Sequence, residues 1–243
     1  LWTGSYGQIS DLTIDGRGSS TYAIAIGNGI LITPDSEGYH RKLINCEVAW
    51  FAGYNASATG ATPGTGYGIN ANYLSTDIAS GSNTLLTGGN AIYANGTASE
   101  LVIDLCEIGW CDGIGVRYTT VNDSKLTNCY IANAVWCGIY AASNFKNMQF
   151  ANLKVYLCRR LNPRSSTTDI IPYTLTGSDS FGGVVLTGAG HQAVNFEVNE
   201  CGSYGFSLGT SAYSLSNSSL GLLADGNGGY DAAASAPTND LYQ

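Results

Sequence analysis

The sequence predicts an all-β chain wound as a parallel β-helix of about eight coils, and three observations predict it. The stretch Ile103-Asp104-Leu105-Cys106-Glu107-Ile108 is answered 23 positions later by Leu126-Thr127-Asn128-Cys129-Tyr130-Ile131, and Gly113-Ile114-Gly115-Val116 is answered 25 positions later by Gly138-Ile139-Tyr140-Ala141. A fixed period of this size means stacked structural units. Two landmarks then alternate along the chain. One is an Asn or turn residue with an apolar residue two before and three after, at positions 11, 45, 83, 105, 128, 152, 195 and 217. The other is a Gly or turn followed by an apolar strand, starting near Ile24, Ile69, Ile92, Ile114, Ile139, Val184, Phe206 and Tyr230. The composition agrees, with 32 Gly and 16 Tyr against a single Met, a balance that favours strands and turns over helices.

Short apolar alternations joined by turns cannot bury a face alone. Wound into a coil, each strand finds ladder partners in the coils above and below. About two dozen residues accommodate three strands of roughly five residues and three turns. Asn or Asp at the marker suits a left-handed bend, and stacked copies form an amide ladder.

Taken in order, the chain opens on Leu1-Trp2-Thr3-Gly4, which has neither Met nor the regions of a signal peptide. It reads as a domain cut from a longer chain, with residues 1–230 as the β-helix and 231–243 as a C-terminal cap or linker. Thr33–Arg41 is a small insertion at one corner. Gly53–Gly66, rich in Gly, Ala and Thr, and Arg159–Phe181 are longer insertions leaving a different, shared corner, with three tight coils expected between them. A floor with two walls is a groove, and long loops on a rigid scaffold are where binding usually resides.

The formal charge of −8 excludes the basic stripe that nucleic-acid binding needs. No run approaches the roughly 20 apolar residues of a membrane span. Seven Cys without any CxxC pair argue against zinc. Cys46, Cys106 and Cys129 share the position after the marker and are expected to stack inward, with Cys158 and Cys201 as neighbours. No metal and no cofactor is expected. His40 and His191 lie away from the floor and are given no role.

Strand alternation turns Asn70, Tyr93, Gly115 and Tyr140 outward when the apolar residue before each points in, followed by Asn72, Asn95, Arg117 and Ala142. Trp110, Asp112 and Trp136 fall in the tight turns, with Glu107 outward beside them, as Glu47 and Glu197 are in their own coils. Aromatic faces beside carboxylates and amides suit a sugar chain. The substrate-binding candidates are therefore Trp110, Trp136, Tyr93, Tyr140, Arg117, Asn70 and Asn95. Glycoside hydrolysis needs two carboxyl groups about 5 Å apart for retention or roughly 6.5–9.5 Å for inversion. Asp112 and Glu107 are the first catalytic pair, with Asp169 and Asp179 of the long insertion as further candidates.

Bends such as Asn45-Cys46-Glu47-Val48 and Asn128-Cys129-Tyr130-Ile131 resemble the asparagine ladder of the pectate-lyase-like superfamily. That resemblance covers nearly the whole chain and implies a right-handed helix, but the motif is shared by lyases, hydrolases, epimerases and non-enzymes. The polygalacturonase signatures are missing, since Gly190-His191-Gln192 breaks one of them, and so is the Asp-Pro-His-Asp of alginate epimerases. The acidic, Gly-, Ser-, Asn- and Tyr-rich coils look most like a bacteriophage tailspike. This implies a homotrimer, on a virion tail or extracellular, that binds and hydrolyses a bacterial surface polysaccharide. A non-catalytic glycan-binding adhesin or structural spike stays open, as does a calcium-requiring polysaccharide lyase.

Overall fold

The computed structural model describes residues 6–16, 29–32, 40–49, 53–54, 87–88, 91–111, 114–134, 137–141, 146–158, 182–201, 204–208, 215–216 and 219–225. Every element among them is a β-strand. The first coil holds β1 (Gly7–Ser10), β2 (Thr13–Asp15) and β3 (Ile30–Ile32), and the second holds β4 (Arg41–Ile44), β5 (Glu47–Ala49), β6 (Gly53–Tyr54), β7 (Thr87–Gly88) and β8 (Ile92–Ser99). The third is β9 (Val102–Asp104), β10 (Glu107–Cys111) and β11 (Ile114–Asn122), and the fourth is β12 (Lys125–Thr127), β13 (Tyr130–Ala134) and β14 (Cys137–Ala141). The fifth is β15 (Gln149–Tyr156), β16 (Gly182–Leu186) and β17 (Gly188–Ala189). The sixth is β18 (Gln192–Asn199), β19 (Tyr204–Leu208) and β20 (Leu215–Ser216), and the seventh contributes β21 (Ser219–Asp225).

Pairing between coils is parallel throughout, so the expected β-helix is the observed fold. On the first face β1, β4, β9, β12 and the start of β15 lie side by side, and on the second β2, β5, β10, β13 and the end of β15 do so. The third face runs β3, β8, β11, β14, β16, β19. Each face contributes one inward rank. These are Ile9–Leu43–Ile103–Leu126–Phe150, then Ile14–Val48–Ile108–Ile131–Val155–Val198, then Ile92–Val116–Ile139–Val184–Phe206. Most members are fully buried, and each such side chain stabilises the fold by roughly 1.5–3 kcal/mol.

The marker bend is a ladder. Asp11, Asn45, Leu105, Asn128, Asn152 and Asn195 all adopt left-handed backbone, with φ between 52° and 57°. Asn45 donates to Asp11 (2.7 Å), Asn152 to Asn128 (2.9 Å) and Asn195 to Asn152 (3.1 Å). Leu105 offers no amide, so Asn128 donates instead to Asp104 Oδ1 at 2.8 Å. A second left-handed bend precedes the first face, at Tyr6, His40, Glu100, Asp123, Asn147 and Gly190.

Register corrects several expectations. The coil of Asn45 stacks directly on that of Leu105, because Leu43 pairs with Ile103 and Glu47 with Glu107. On the third face β3 pairs directly with β8. These direct pairings leave no further rung between the two coils; Asn83 and Ile69 lie outside the described residues. Between β5 and β8, β6 and β7 pair antiparallel. Only the two tight third and fourth coils therefore separate the long insertions. The first described third-face strand begins at Ile30, which pairs with Ile92; Ile24 lies outside the described residues. The 25-residue repeat is also 23, since Ile114 pairs with Cys137 and Val116 with Ile139. In the seventh coil Ala193 pairs with Leu220 and Phe196 with Leu222 along the continuous strand β21; Asn217 lies outside the described residues.

All seven cysteines are buried and none forms a disulfide. Cys46, Cys106 and Cys129 form the expected inward stack, each thiol donating to the carbonyl two residues back, at 3.0–3.3 Å. Burial, and then contact with Cys158, push the Cys201 thiol well above its usual range. Both histidines do more than the sequence suggests. His40 pairs with Glu100 and stacks on Tyr6 with ring centroids 5.1 Å apart. His191 is fully buried, its Nδ1 accepting from the Met148 N–H (3.2 Å) and its Nε2 hydrogen-bonded to Thr187 O (2.9 Å). Arg41 is buried in the same inward rank, four residues before its marker.

Candidate functional site

Outward positions of the second face line up as Thr13, Glu47, Glu107, Tyr130, Lys154, Glu197 and Leu223. Glu107, at the start of β10, is exposed. Its neighbour across the ladder is Glu47 on one side and Tyr130 on the other. In-register strands lie roughly 4.8 Å apart, so the two glutamates are immediate neighbours. A groove of about 410 Å³ runs beside them along the marker bend, lined by Asp11, Leu12, Thr13, Asn45, Cys46, Glu47, Leu105 and Glu107. Thr13 Oγ1 donates to Glu47 Oε2 at 3.3 Å and orients that carboxylate. Asn45 donates to Asp11, which holds the Asp11 carboxyl below its usual range. Burial first, and then Tyr156, Cys158 and Glu107, push the Tyr130 phenol up. Further along the rank, Lys154 and Glu197 form an ion pair at 3.6 Å.

On the third face, register sets Tyr93, Arg117 and Tyr140 side by side on neighbouring strands. By sequence spacing Arg117 falls one step beyond the two tyrosines, level with Asn95. Register instead puts it between them, because Val116 and not Ile114 pairs with Ile92 and Ile139. Arg117 and Tyr140 are half-buried. Gly115, expected to face out, does not: a Cβ there would meet Ile131 Cγ2 at 2.7 Å, on the core side. Asn95 lies in β8 where the register shifts against β11, and only the backbone of Tyr93 and Asn95 is described.

Trp110 sits at the corner between these faces. Its equivalents on the successive coils are Asn133, Leu157 and Glu200, and all four adopt left-handed backbone; Trp110 has φ 49°. A bulky residue in that region is uncommon. Its ring is half-buried. Asp112, Trp136, Asn70, Asp169 and Asp179 lie outside the described residues, as do residues 226–243.

Thus the structure brings Glu107 against Glu47, and Arg117 against two tyrosine positions. Sequence alternation marks Glu47 as outward, but the spacing of the markers sets a whole coil between it and Glu107. Among the described residues no three His, Cys, Asp or Glu side chains converge to hold a metal ion. No helix there is long and apolar enough to cross a membrane. Comparison with known protein families, curated proteins and solved structures finds no match to this chain.

Proposed function

We propose that this chain binds a bacterial surface polysaccharide and hydrolyses it, with Glu47 and Glu107 as the two carboxyl groups. The observation that carries the reading is their adjacency in a groove on neighbouring coils. Retaining glycosidases hold their carboxyl groups roughly 5 Å apart, and one coil spacing is about that distance. Glu47, oriented by Thr13, is the nucleophile that attacks the anomeric carbon. Glu107 protonates the departing glycosidic oxygen and then takes a proton from the water that releases the sugar from Glu47. The tailspike resemblance adds a homotrimer and an extracellular or virion-tail setting to the proposal.

The test is reducing-end release from a panel of bacterial surface polysaccharides, comparing the native chain with Glu107→Gln, Glu47→Gln and Asp112→Asn. Release that drops by about 10³-fold or more in both glutamine variants supports the pair, given the size of acid–base and nucleophile effects. Loss in Glu107→Gln and Asp112→Asn but not in Glu47→Gln returns the chemistry to Asp112 and Glu107. Asp169 and Asp179 become the next partners if neither glutamine variant loses release.

A second reading is recognition without cleavage, and the Tyr93–Arg117–Tyr140 rank favours it. An arginine set between two aromatic positions binds sugar hydroxyls without needing any carboxyl pair. Binding with no release from any glycan selects it. An unsaturated, ultraviolet-absorbing product that disappears with a calcium chelator selects the lyase.

A further inference from the structure

Two thiols meet at the corner between the second and third faces. Cys158 and Cys201 each follow a left-handed residue, Leu157 and Glu200. They stand on neighbouring coils, two residues beyond the pairing of Tyr156 with Asn199, and their side chains are in contact. In-register strands hold their Cα atoms about 4.8 Å apart, inside the roughly 4.4–6.8 Å that a disulfide spans. Both side chains are fully buried, and glycines of the third face confine the sulfurs. A Cβ at Gly138 would lie 3.1 Å from Cys158 Sγ, and one at Gly183 would lie 2.8 Å from Cys201 Sγ. Each thiol donates to the carbonyl two residues back at 3.5 Å, a looser hold than the 3.0–3.3 Å of Cys46, Cys106 and Cys129. Those three form a row in which no pair is singled out. Cys111 shares the corner of Cys158, but Ala134 stands between them. That separates the two by about 9.6 Å, beyond the roughly 7 Å limit for a bridge.

We infer that Cys158 and Cys201 are a redox-sensitive modification site, which closes to an intramolecular disulfide when the chain meets an oxidising low-molecular-weight disulfide. One protein thiolate attacks the small disulfide, whose S–S bond breaks and releases a first small thiolate. The other protein thiolate attacks the protein-borne sulfur of that mixed disulfide, so the Cys158–Cys201 bond forms and the second small thiolate leaves. Two cysteine thiols are oxidised, one small disulfide is reduced to two thiols, and the two cysteine protons end on those thiols. The bond closes a loop from 158 to 201, a separation of 43 residues that contains the insertion Arg159–Phe181. Closing such a loop restricts the unfolded chain, and oxidation raises Tm by roughly 4–16 °C in a domain of this size. Reducing surroundings keep the thiols and oxidising ones keep the bond. The inference is independent of the glycan reading.

The test uses the whole chain, purified folded and reduced, then incubated with oxidised glutathione in excess. Alkylation in denaturant followed by mass spectrometry counts the thiols that remain. Seven are expected before oxidation and five after it, since one bond consumes two of the seven cysteines. Peptide mapping then joins residue 158 to residue 201, Tm rises by the stated amount, and dithiothreitol reverses both changes. In Cys158→Ala and in Cys201→Ala all six remaining thiols stay open to alkylation, and Tm does not respond to glutathione. Seven thiols after oxidation of the native chain overturn the inference. So does a bond joining any other two cysteines, or glutathione held on either residue as a lasting mixed disulfide. A Cys158–Cys201 bond that lowers Tm or leaves it unchanged overturns the stabilising role. Mapping on the native chain needs no substitution, so it decides the question even if neither alanine variant folds.

Discussion

Substituting Asn152 separates the two contributions that hold the marker bend. Asn152 donates to Asn128 at 2.9 Å, accepts from Asn195 at 3.1 Å and has φ 52°. Its side chain is exposed, so each hydrogen bond falls at the low end of the net range, about 0.5 kcal/mol. Asn152→Gly loses both bonds and adds unfolded-state freedom, for a loss of about 1.5 kcal/mol. Asn152→Ala loses the same bonds and must also place a Cβ in the left-handed region at about 1–2 kcal/mol, for a total near 2–3 kcal/mol. The expected order of stability is Asn above Gly above Ala, reversing the usual advantage of Ala over Gly. For a domain of this size roughly 2–4 °C accompanies each kcal/mol, so Ala lowers Tm by about 4–12 °C. Urea unfolding followed by tryptophan fluorescence, with thermal unfolding followed by circular dichroism, measures both variants. Lys154, two residues on in extended strand, is the control, and there Ala ranks above Gly. If Ala equals or exceeds Gly at Asn152, the bend does not impose its backbone and the reasoning fails. If Gly equals Asn, the amide ladder contributes nothing to stability.

Two further outcomes follow from particular contacts. Burial lowers the pKa of His191 from 6.5, partly offset by its bond to Thr187. The unfolded chain then takes the proton first as pH falls, so stability is fully present above about pH 6.5 and declines below it until the folded value is reached. Tm of the native chain minus that of His191→Gln, measured from about pH 8 to pH 5, should shrink across that window; a constant difference would show that protonation of His191 is not linked to folding. At Gly109, φ is +151° and a Cβ would lie 1.8 Å from Ala132 O. Gly109→Ala should abolish cooperative folding, whereas Gly221→Ala, whose Cβ meets nothing nearer than 3.3 Å, should fold; equal behaviour of the two contradicts the packing described.

The coil architecture is legible in the sequence because the same chemistry must recur wherever the chain bends the same way. Asn45, Asn128, Asn152 and Asn195 announce themselves by residue type, and even Leu105 is found by the spacing of its apolar neighbours. Asn83 meets the same loose pattern by chance, as an Asn with apolar residues nearby in a Gly- and Thr-rich stretch. What excludes it is the direct pairing of Leu43 with Ile103, and interstrand register is invisible in a single sequence. That one false rung hides the adjacency of Glu47 and Glu107. The two-residue error at Val116 likewise keeps Arg117 out of line with Tyr93 and Tyr140, because a slip of two leaves a period-two apolar pattern unchanged and so gives no warning. His191 does carry a readable signal. It stands four residues before its marker, as Arg41, Leu101, Ser124 and Met148 do, and all five are buried. Ser124 Oγ accepts from the Leu101 N–H at 2.9 Å just as His191 Nδ1 accepts from that of Met148. The rank is a line of inward caps, and a histidine there is masonry.

The two-residue pairing of β6 with β7 has a consequence for how such a chain can diversify. It brings Tyr54 back beside Thr87, so the chain leaves the second coil and rejoins it at nearly the same point. The pairings of Leu43 with Ile103 and of Glu47 with Glu107 do not involve the excursion. Residues 55–86 are therefore a cassette, exchangeable in length and composition while the spacing of every other rung is preserved. A lineage built this way can rewrite the segment between β6 and β7 and inherit the paired coils intact.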